Sequence, residues 1–288
     1  MDTFKMKLLH IFLEGVKTMN AVIERNNVKV IGQGEKTIVF AHGFGCDQRM
    51  WSYITPSFQE KFRIVLFDYV GSGNSDLNAY QSEKYNTLQG YVQDVLDIIE
   101  AMELKDIIFI GHSISSMIGM LASIERPDYF DKLIMIGPSS CYLNDTNGYH
   151  GGFEQSDIKE LLDMMEMNFA GWASYLAPIV MNQPENPTLS KDLERSFISG
   201  NPAIAREFAE VTFLSDHRSD LAKATVPTLI MQCSEDSIVP IEAGEYLHSH
   251  LKNSSFQLME AKGHYPHISH PEETIRCIYE YLEGNNKG

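Results

Sequence analysis

Cysteine is scarce in this sequence. The four present, Cys46, Cys141, Cys233 and Cys277, are scattered with no Cys-x-x-Cys spacing. Neither a disulfide frame nor a zinc site is expected, and the four read as buried apolar side chains of a reducing, cytoplasmic compartment. Positive charge is also short. Lysine and arginine number 23 against 39 aspartates and glutamates, a net charge of −16, which argues against a nucleic-acid partner because phosphate backbones are held by basic side chains. No stretch approaches the roughly twenty apolar residues of a membrane span. Met1 to Thr18 only faintly imitates a secretory signal, since His10 and Glu14 break its apolar run and no small-residue cleavage site follows. Export is not expected. Residues 1–18 read instead as an N-terminal extension, either a leading helix or sequence upstream of a start at Met19. Nucleotide signatures are missing as well: no G-x-G-x-x-G occurs, and Gly71-Ser72-Gly73 lacks the Lys-Ser/Thr ending of a phosphate loop.

What is present is an ordinary globular composition, 43% hydrophobic and 22% charged over 288 residues, enough for one large domain or a core with a lid. After a predicted edge hairpin at Ala21 to Val30, turning at Asn26-Asn27, apolar strand runs alternate with helical patterns. The strands are Lys36–Ala41, Phe62–Phe67, Ile107–Ile110 and Lys132–Ile136. Thr87 to Met102 repeats apolar residues at helical spacing, with Asp94, Asp97 and Glu100 expected outward. Such alternation implies a mostly parallel sheet flanked by helices. From Cys141 to Ala224 the strand pattern stops and four helical segments follow, Asp157–Phe169, Gly171–Met181, Leu189–Ser199 and Pro202–Phe213. The expected division is a core of residues 19–140 and 225–288 and a helical lid, 141–224, inserted after the sixth strand. Aromatic and methionine side chains of the lid are expected mainly to pack its helices together, with a minority lining an apolar pocket for a small hydrophobic ligand or substrate. The sheet resumes with Pro227–Gln232 and Ser255–Met259.

The chemistry centres on Gly111-His112-Ser113-Ile114-Ser115. A buried strand, a Gly-x-Ser-x-small turn and a helix form a nucleophile elbow, which lifts the serine out at the carboxyl edge of the sheet above a helix N-terminus. Ser115 stands where the pattern usually has glycine. A serine hydroxyl is a weak nucleophile and needs a base. The two late strands end in Glu235-Asp236 and Gly263-His264, delivering acid and histidine in the order Ser, Asp, His that the α/β-hydrolase architecture produces. His264 is the expected base, and Asp236 is preferred over Glu235 as its partner because it lies farther into the loop. His267 reads as packing or helix entry. Asp68 reads as a structural brace of the turn after Phe67. The backbone N–H groups of Phe44, in the Gly-rich turn His42-Gly43-Phe44-Gly45, and of Ile114 are the expected oxyanion hole. No metal or organic cofactor is required by this mechanism. A serine nucleophile excludes the aspartate of haloalkane dehalogenases and the cysteine of dienelactone hydrolases, but not peroxidases or C–C bond hydrolases.

From about Met19 to Leu282 the chain resembles the RsbQ type of α/β-hydrolase, related to plant karrikin and strigolactone receptors. The resemblance rests on His42-Gly43-Phe44-Gly45-Cys46-Asp47-Gln48, Phe67-Asp68-Tyr69-Val70-Gly71-Ser72-Gly73, the Ser113 elbow, Gly137-Pro138-Ser139 with Cys141-Tyr142-Leu143-Asn144-Asp145, and Gly263-His264-Tyr265-Pro266-His267. It implies the triad Ser113, Asp236 and His264, the oxyanion hole Phe44 and Ile114, and a four-helix lid. It further implies a positive regulator of the general stress (sigma-B) response that works with a PAS-domain protein phosphatase. Two function classes follow: a serine hydrolase of a small hydrophobic ester or lactone, or a ligand-binding signalling module that activates the phosphatase with little turnover.

Overall fold

The computed structural model describes residues 19–284, so the expectation for residues 1–18 lies outside the described residues. Seven strands, β1 (Lys29–Ile31), β2 (Lys36–Ala41), β3 (Phe62–Leu66), β4 (Ile107–His112), β5 (Phe130–Ile136), β6 (Thr228–Glu235) and β7 (Ser254–Lys262), form one sheet in the order β1-β3-β2-β4-β5-β6-β7. Only β1 runs antiparallel to its neighbour. The uninterrupted apolar character of β4 is explained by its place: it lies mid-sheet between β2 and β5 and is buried along its whole length. Helices α1 (Leu88–Ala101) and α2 (Ile114–Glu125) connect the central strands, and α7 (Ile241–His250) and α8 (Pro271–Leu282) follow β6 and β7. The connection from β5 to β6 carries α3 (Gln155–Met167), α4 (Phe169–Met181), α5 (Pro187–Ser199) and α6 (Pro202–Leu214). No helix among the described residues is long and apolar enough to cross a membrane.

Two expectations are corrected. The predicted hairpin does not form: residues 19–25 are helical, and only Lys29–Ile31 joins the sheet. The four-helix segment therefore follows the fifth strand, not the sixth. Tertiary anchors outweigh the β-branched pattern of Val22-Ile23. Val22 packs on the core, and the turn at Asn27, with φ of 45°, carries Arg25 to Asp97 at 2.8 Å. The second correction is Asp94, expected outward on α1 but fully buried. It accepts from Tyr85 Oη at 2.9 Å and pairs with Lys84 Nζ at 2.9 Å. A buried carboxylate persists only when it is paired in this way.

Within the inserted segment the apolar side chains divide. Met165, Trp172, Phe197, Phe208 and Phe213 are buried, while Met167 and Tyr175 are 82% and 61% exposed. Four of the buried side chains, Trp172, Phe197, Phe208 and Phe213, meet the turn that follows β2. Phe44 lies 5.9 Å from both Trp172 and Phe208, ring to ring, and 6.1 Å from Phe213. Gly45 allows this close approach, because a Cβ there would fall 2.6 Å from Phe197. The four cysteines are free and buried, and burial pushes the Cys46 thiol up to about 12.

Candidate active site

The turn from β4 to α2 is built by two constraints. Gly111 must lack a side chain, since a Cβ would sit 2.5 Å from the Ser115 carbonyl oxygen. Ser113 itself takes φ 55°, ψ −124°, a conformation that costs a non-glycine residue about 1–3 kcal/mol and is kept only where the surroundings enforce it. They do so here through the Ser113 N–H, which donates to Ile136 O at 2.8 Å. The result is a buried serine whose Oγ points at the histidine loop after β7.

Ser113 Oγ lies 2.8 Å from His264 Nε2, and His264 Nδ1 lies 2.8 Å from Asp236 Oδ2. Asp236 Oδ1 accepts from the backbone N–H groups of Ile238 and Val239 at 2.8 and 3.2 Å. That carboxylate is thus fixed on one side by the main chain and presents its other oxygen to the ring. The proton on Nδ1 is held there, which leaves Nε2 free to accept from the serine. Glu235, the alternative acid, points away: it is exposed and pairs with Lys262 at 2.6 Å. The structure also holds the histidine loop from the helical segment, for His264 N–H donates to Val180 O of α4 at 2.7 Å. Gly137, at φ 59°, passes beneath the ring, where a Cβ would lie 3.2 Å from His264 Cε1.

Of the two expected oxyanion amides, that of Ile114 directly follows the serine as the first residue of α2, where an amide has no intrahelical acceptor, and that of Phe44 comes from the turn after β2. Gly43 permits the close approach of the Phe44 turn to the elbow, since a Cβ would fall 3.3 Å from Ser113 Cβ. Asp68 acts as the expected brace, accepting from Gln48 N and Asn74 N at 2.9 Å each. His267 is fully buried with neither ring nitrogen partnered, its ring 4.6 Å from that of Trp51. Burial, and secondarily the nearby His264, holds its pKa down at about 3.

Two residues near Ser113 carried no sequence signal of their own. Tyr142, buried, brings its hydroxyl to 3.3 Å from Ser113 Oγ. It belongs to the Cys141–Asp145 run, but nothing in its spacing marks a contact across 29 residues. His112 lies under His264 and its Nε2–H donates to the His264 carbonyl at 2.7 Å; burial holds it neutral. Beneath the helical segment a cavity of only about 30 Å³ adjoins Phe44, Tyr91, Phe197 and Phe208. None of Ser113, Asp236 or His264 borders it. The larger groove, about 660 Å³ between Ser82–Leu88 and α6, includes none of Ser113, Asp236 or His264.

The sequence pattern of the alpha/beta hydrolase family matches residues 38–276. Among similar proteins, a karrikin insensitive 2 receptor of Petunia hybrida is 38% identical, with 92% of this chain and 98% of the relative aligned. A strigolactone esterase of Pisum sativum is also 38% identical, over 87% of this chain and 94% of the relative. A solved hydrolase from Oleispira antarctica superposes with a TM-score of 0.90 at 40% identity, covering 93% of this chain and 98% of that one. With the family pattern running from the second strand to the last helix, and relatives aligned along nearly their full length, the chain belongs to the alpha/beta hydrolase family and is an enzyme of that class.

Proposed function

We propose that this protein is a serine hydrolase of a small hydrophobic ester or lactone. The observation that carries the reading is the continuous relay Ser113 Oγ, His264 Nε2, His264 Nδ1, Asp236 Oδ2, each contact 2.8 Å. In this mechanism Ser113 attacks the carbonyl carbon as its proton passes to His264 Nε2, and Asp236 stabilises the imidazolium. The Phe44 and Ile114 amides receive the developing oxyanion. The imidazolium then protonates the leaving alkoxide, and water, deprotonated by the same nitrogen, cleaves the acyl-serine. The four helices over Ser113 act as a lid whose aromatic inner face selects apolar substrates and excludes water. The relatives named as a strigolactone esterase and a karrikin insensitive 2 receptor support a small ligand.

The test is hydrolysis of p-nitrophenyl acetate and butyrate by the wild type and Ser113→Ala. Turnover by the wild type and its loss in the variant is expected. Turnover that survives in Ser113→Ala refutes the assignment. A second reading, favoured by the receptor relative, is a ligand-binding signalling module with little turnover. Within either reading we retain the regulatory role implied by the motif resemblance: a cytoplasmic activator of the sigma-B response acting on a PAS-domain phosphatase. Its support is the shared motif runs, and the decisive measurement is phosphatase activity with wild type or Ser113→Ala added. Activation by both forms favours the module, whereas activation by the wild type alone places catalysis upstream.

A further inference from the structure

The relay leaves Ser115 without a task, although this is the position where the elbow departs from glycine. Its surroundings supply one. Ser115 is fully buried; its hydroxyl donates to the His42 carbonyl oxygen and lies 3.0 Å from the Tyr69 hydroxyl. A carbonyl only accepts and Ser115 has one proton to give. The order is therefore settled: Tyr69 O–H donates to Ser115 Oγ, and Ser115 O–H donates to His42. The His42 ring closes the circuit. Its Nε2 accepts from Tyr69 N–H at 3.2 Å, and its Nδ1 faces the Gly43 carbonyl at 2.9 Å. Those two partners are satisfied together only by a neutral ring protonated on Nδ1. All three side chains are buried, in surroundings that strengthen such a network and make each lost partner expensive.

This circuit joins the carboxyl ends of three adjacent strands. His42 follows β2, Tyr69 follows β3, and Ser115 lies just beyond the turn that ends β4. Ser115 directly follows Ile114, and His42 stands two residues before Phe44. We infer that Ser115, oriented by Tyr69, is a positioning residue that sets the distance between the Phe44 and Ile114 amides and so the fit of the oxyanion. The inference rests on the serine-hydrolase reading and gives the Ser115 departure a part in it. Glycine, the usual residue of the motif, is the wrong one in this chain, because it removes the donor to His42 and orphans the Tyr69 hydroxyl.

The experiment compares wild type, Ser115→Gly, Ser115→Ala and Tyr69→Phe on p-nitrophenyl acetate and on its thionoester, in which C=S replaces C=O. Sulfur is the weaker hydrogen-bond acceptor, so the ratio of ester to thionoester rates reports on the oxyanion donors and not on the nucleophile. Loss of a whole donor costs about 100- to 1000-fold; displacement of one is expected to lower the ester kcat of both Ser115 variants by about 10- to 100-fold, with little change in KM and a smaller ester-to-thionoester ratio. Tyr69→Phe, which keeps the Ser115–His42 bond, is expected to show the same pattern at lower amplitude. An unchanged ester kcat in folded Ser115→Ala, or an equal fall on both substrates, overturns the inference. If the wild type itself shows no Ser113-dependent turnover, the hydrolase reading fails separately. Crystal structures of wild type and Ser115→Ala then decide the positioning, and an unchanged separation of the Phe44 and Ile114 amides overturns it.

Discussion

Replacing Asp236 by asparagine isolates the one proton position on which the relay depends. In the native site Asp236 Oδ1 accepts from Ile238 N–H and Val239 N–H, and Oδ2 accepts from His264 Nδ1–H at 2.8 Å. Asparagine keeps the shape but has one acceptor oxygen and one NH₂ group. Two backbone donors claim the oxygen, so the NH₂ falls opposite Nδ1. The reverse rotamer sets donors against donors in a buried loop and leaves polar groups unpaired, at about 1–3 kcal/mol each. With the NH₂ facing it, Nδ1 can only accept, and the imidazole proton moves to Nε2, where it points at Ser113 Oγ 2.8 Å away. A ring in that tautomer cannot take the serine proton. The expected loss in kcat is about 10⁴-fold, or roughly 5 kcal/mol of barrier, with folding intact. Glu235→Gln serves as the control, since that exposed carboxylate pairs only with Lys262, and an exposed ion pair is worth about 1 kcal/mol at most. Steady-state p-nitrophenyl acetate hydrolysis with circular dichroism for folding measures both. Retention of more than about a tenth of the activity by Asp236→Asn, or an equal loss in Glu235→Gln, would refute the tautomer argument.

Tyr142→Phe removes the hydroxyl that touches Ser113 Oγ at 3.3 Å. A hydrogen bond this long contributes about 0.5–1.5 kcal/mol, so kcat/KM for short esters should fall by about two- to tenfold, and a drop beyond about 100-fold would show that the hydroxyl does more than orient the serine. The pH dependence of stability should carry the signature of His267, buried without partners and depressed to about 3. The unfolded chain binds this proton near pH 6.5 and the native state does not, so stability is full above that pH and declines as acid is added. Between pH 6.5 and 5 the single group accounts for about 2 kcal/mol, and His267→Phe should recover that much of the acid loss in urea unfolding. Identical pH profiles for the two proteins would dismiss the argument.

Much of the molecule follows from local pattern. The buried runs at Lys36–Ala41 and Ile107–His112, the helical period of α1, and the punctuation by Gly137-Pro138 and Arg126-Pro127 are consequences of side-chain periodicity and backbone freedom, which neighbouring residues largely decide among themselves. The positions of Ser113, Asp236 and His264 at strand ends are equally local, because a parallel sheet delivers every such loop to one edge. Other features depend on contacts between distant parts of the chain. Residues 19–25 are helical because Arg25 must meet Asp97 and because the sheet edge is completed by Lys29–Ile31 alone. Asp94 is inside because Tyr85 and Lys84 come to it. Tyr142 reaches Ser113 across 29 residues, and Ser115 reaches His42 across 73. No periodicity encodes these pairings, since each is selected only when burial removes water as the competing partner and every polar group left inside must find another.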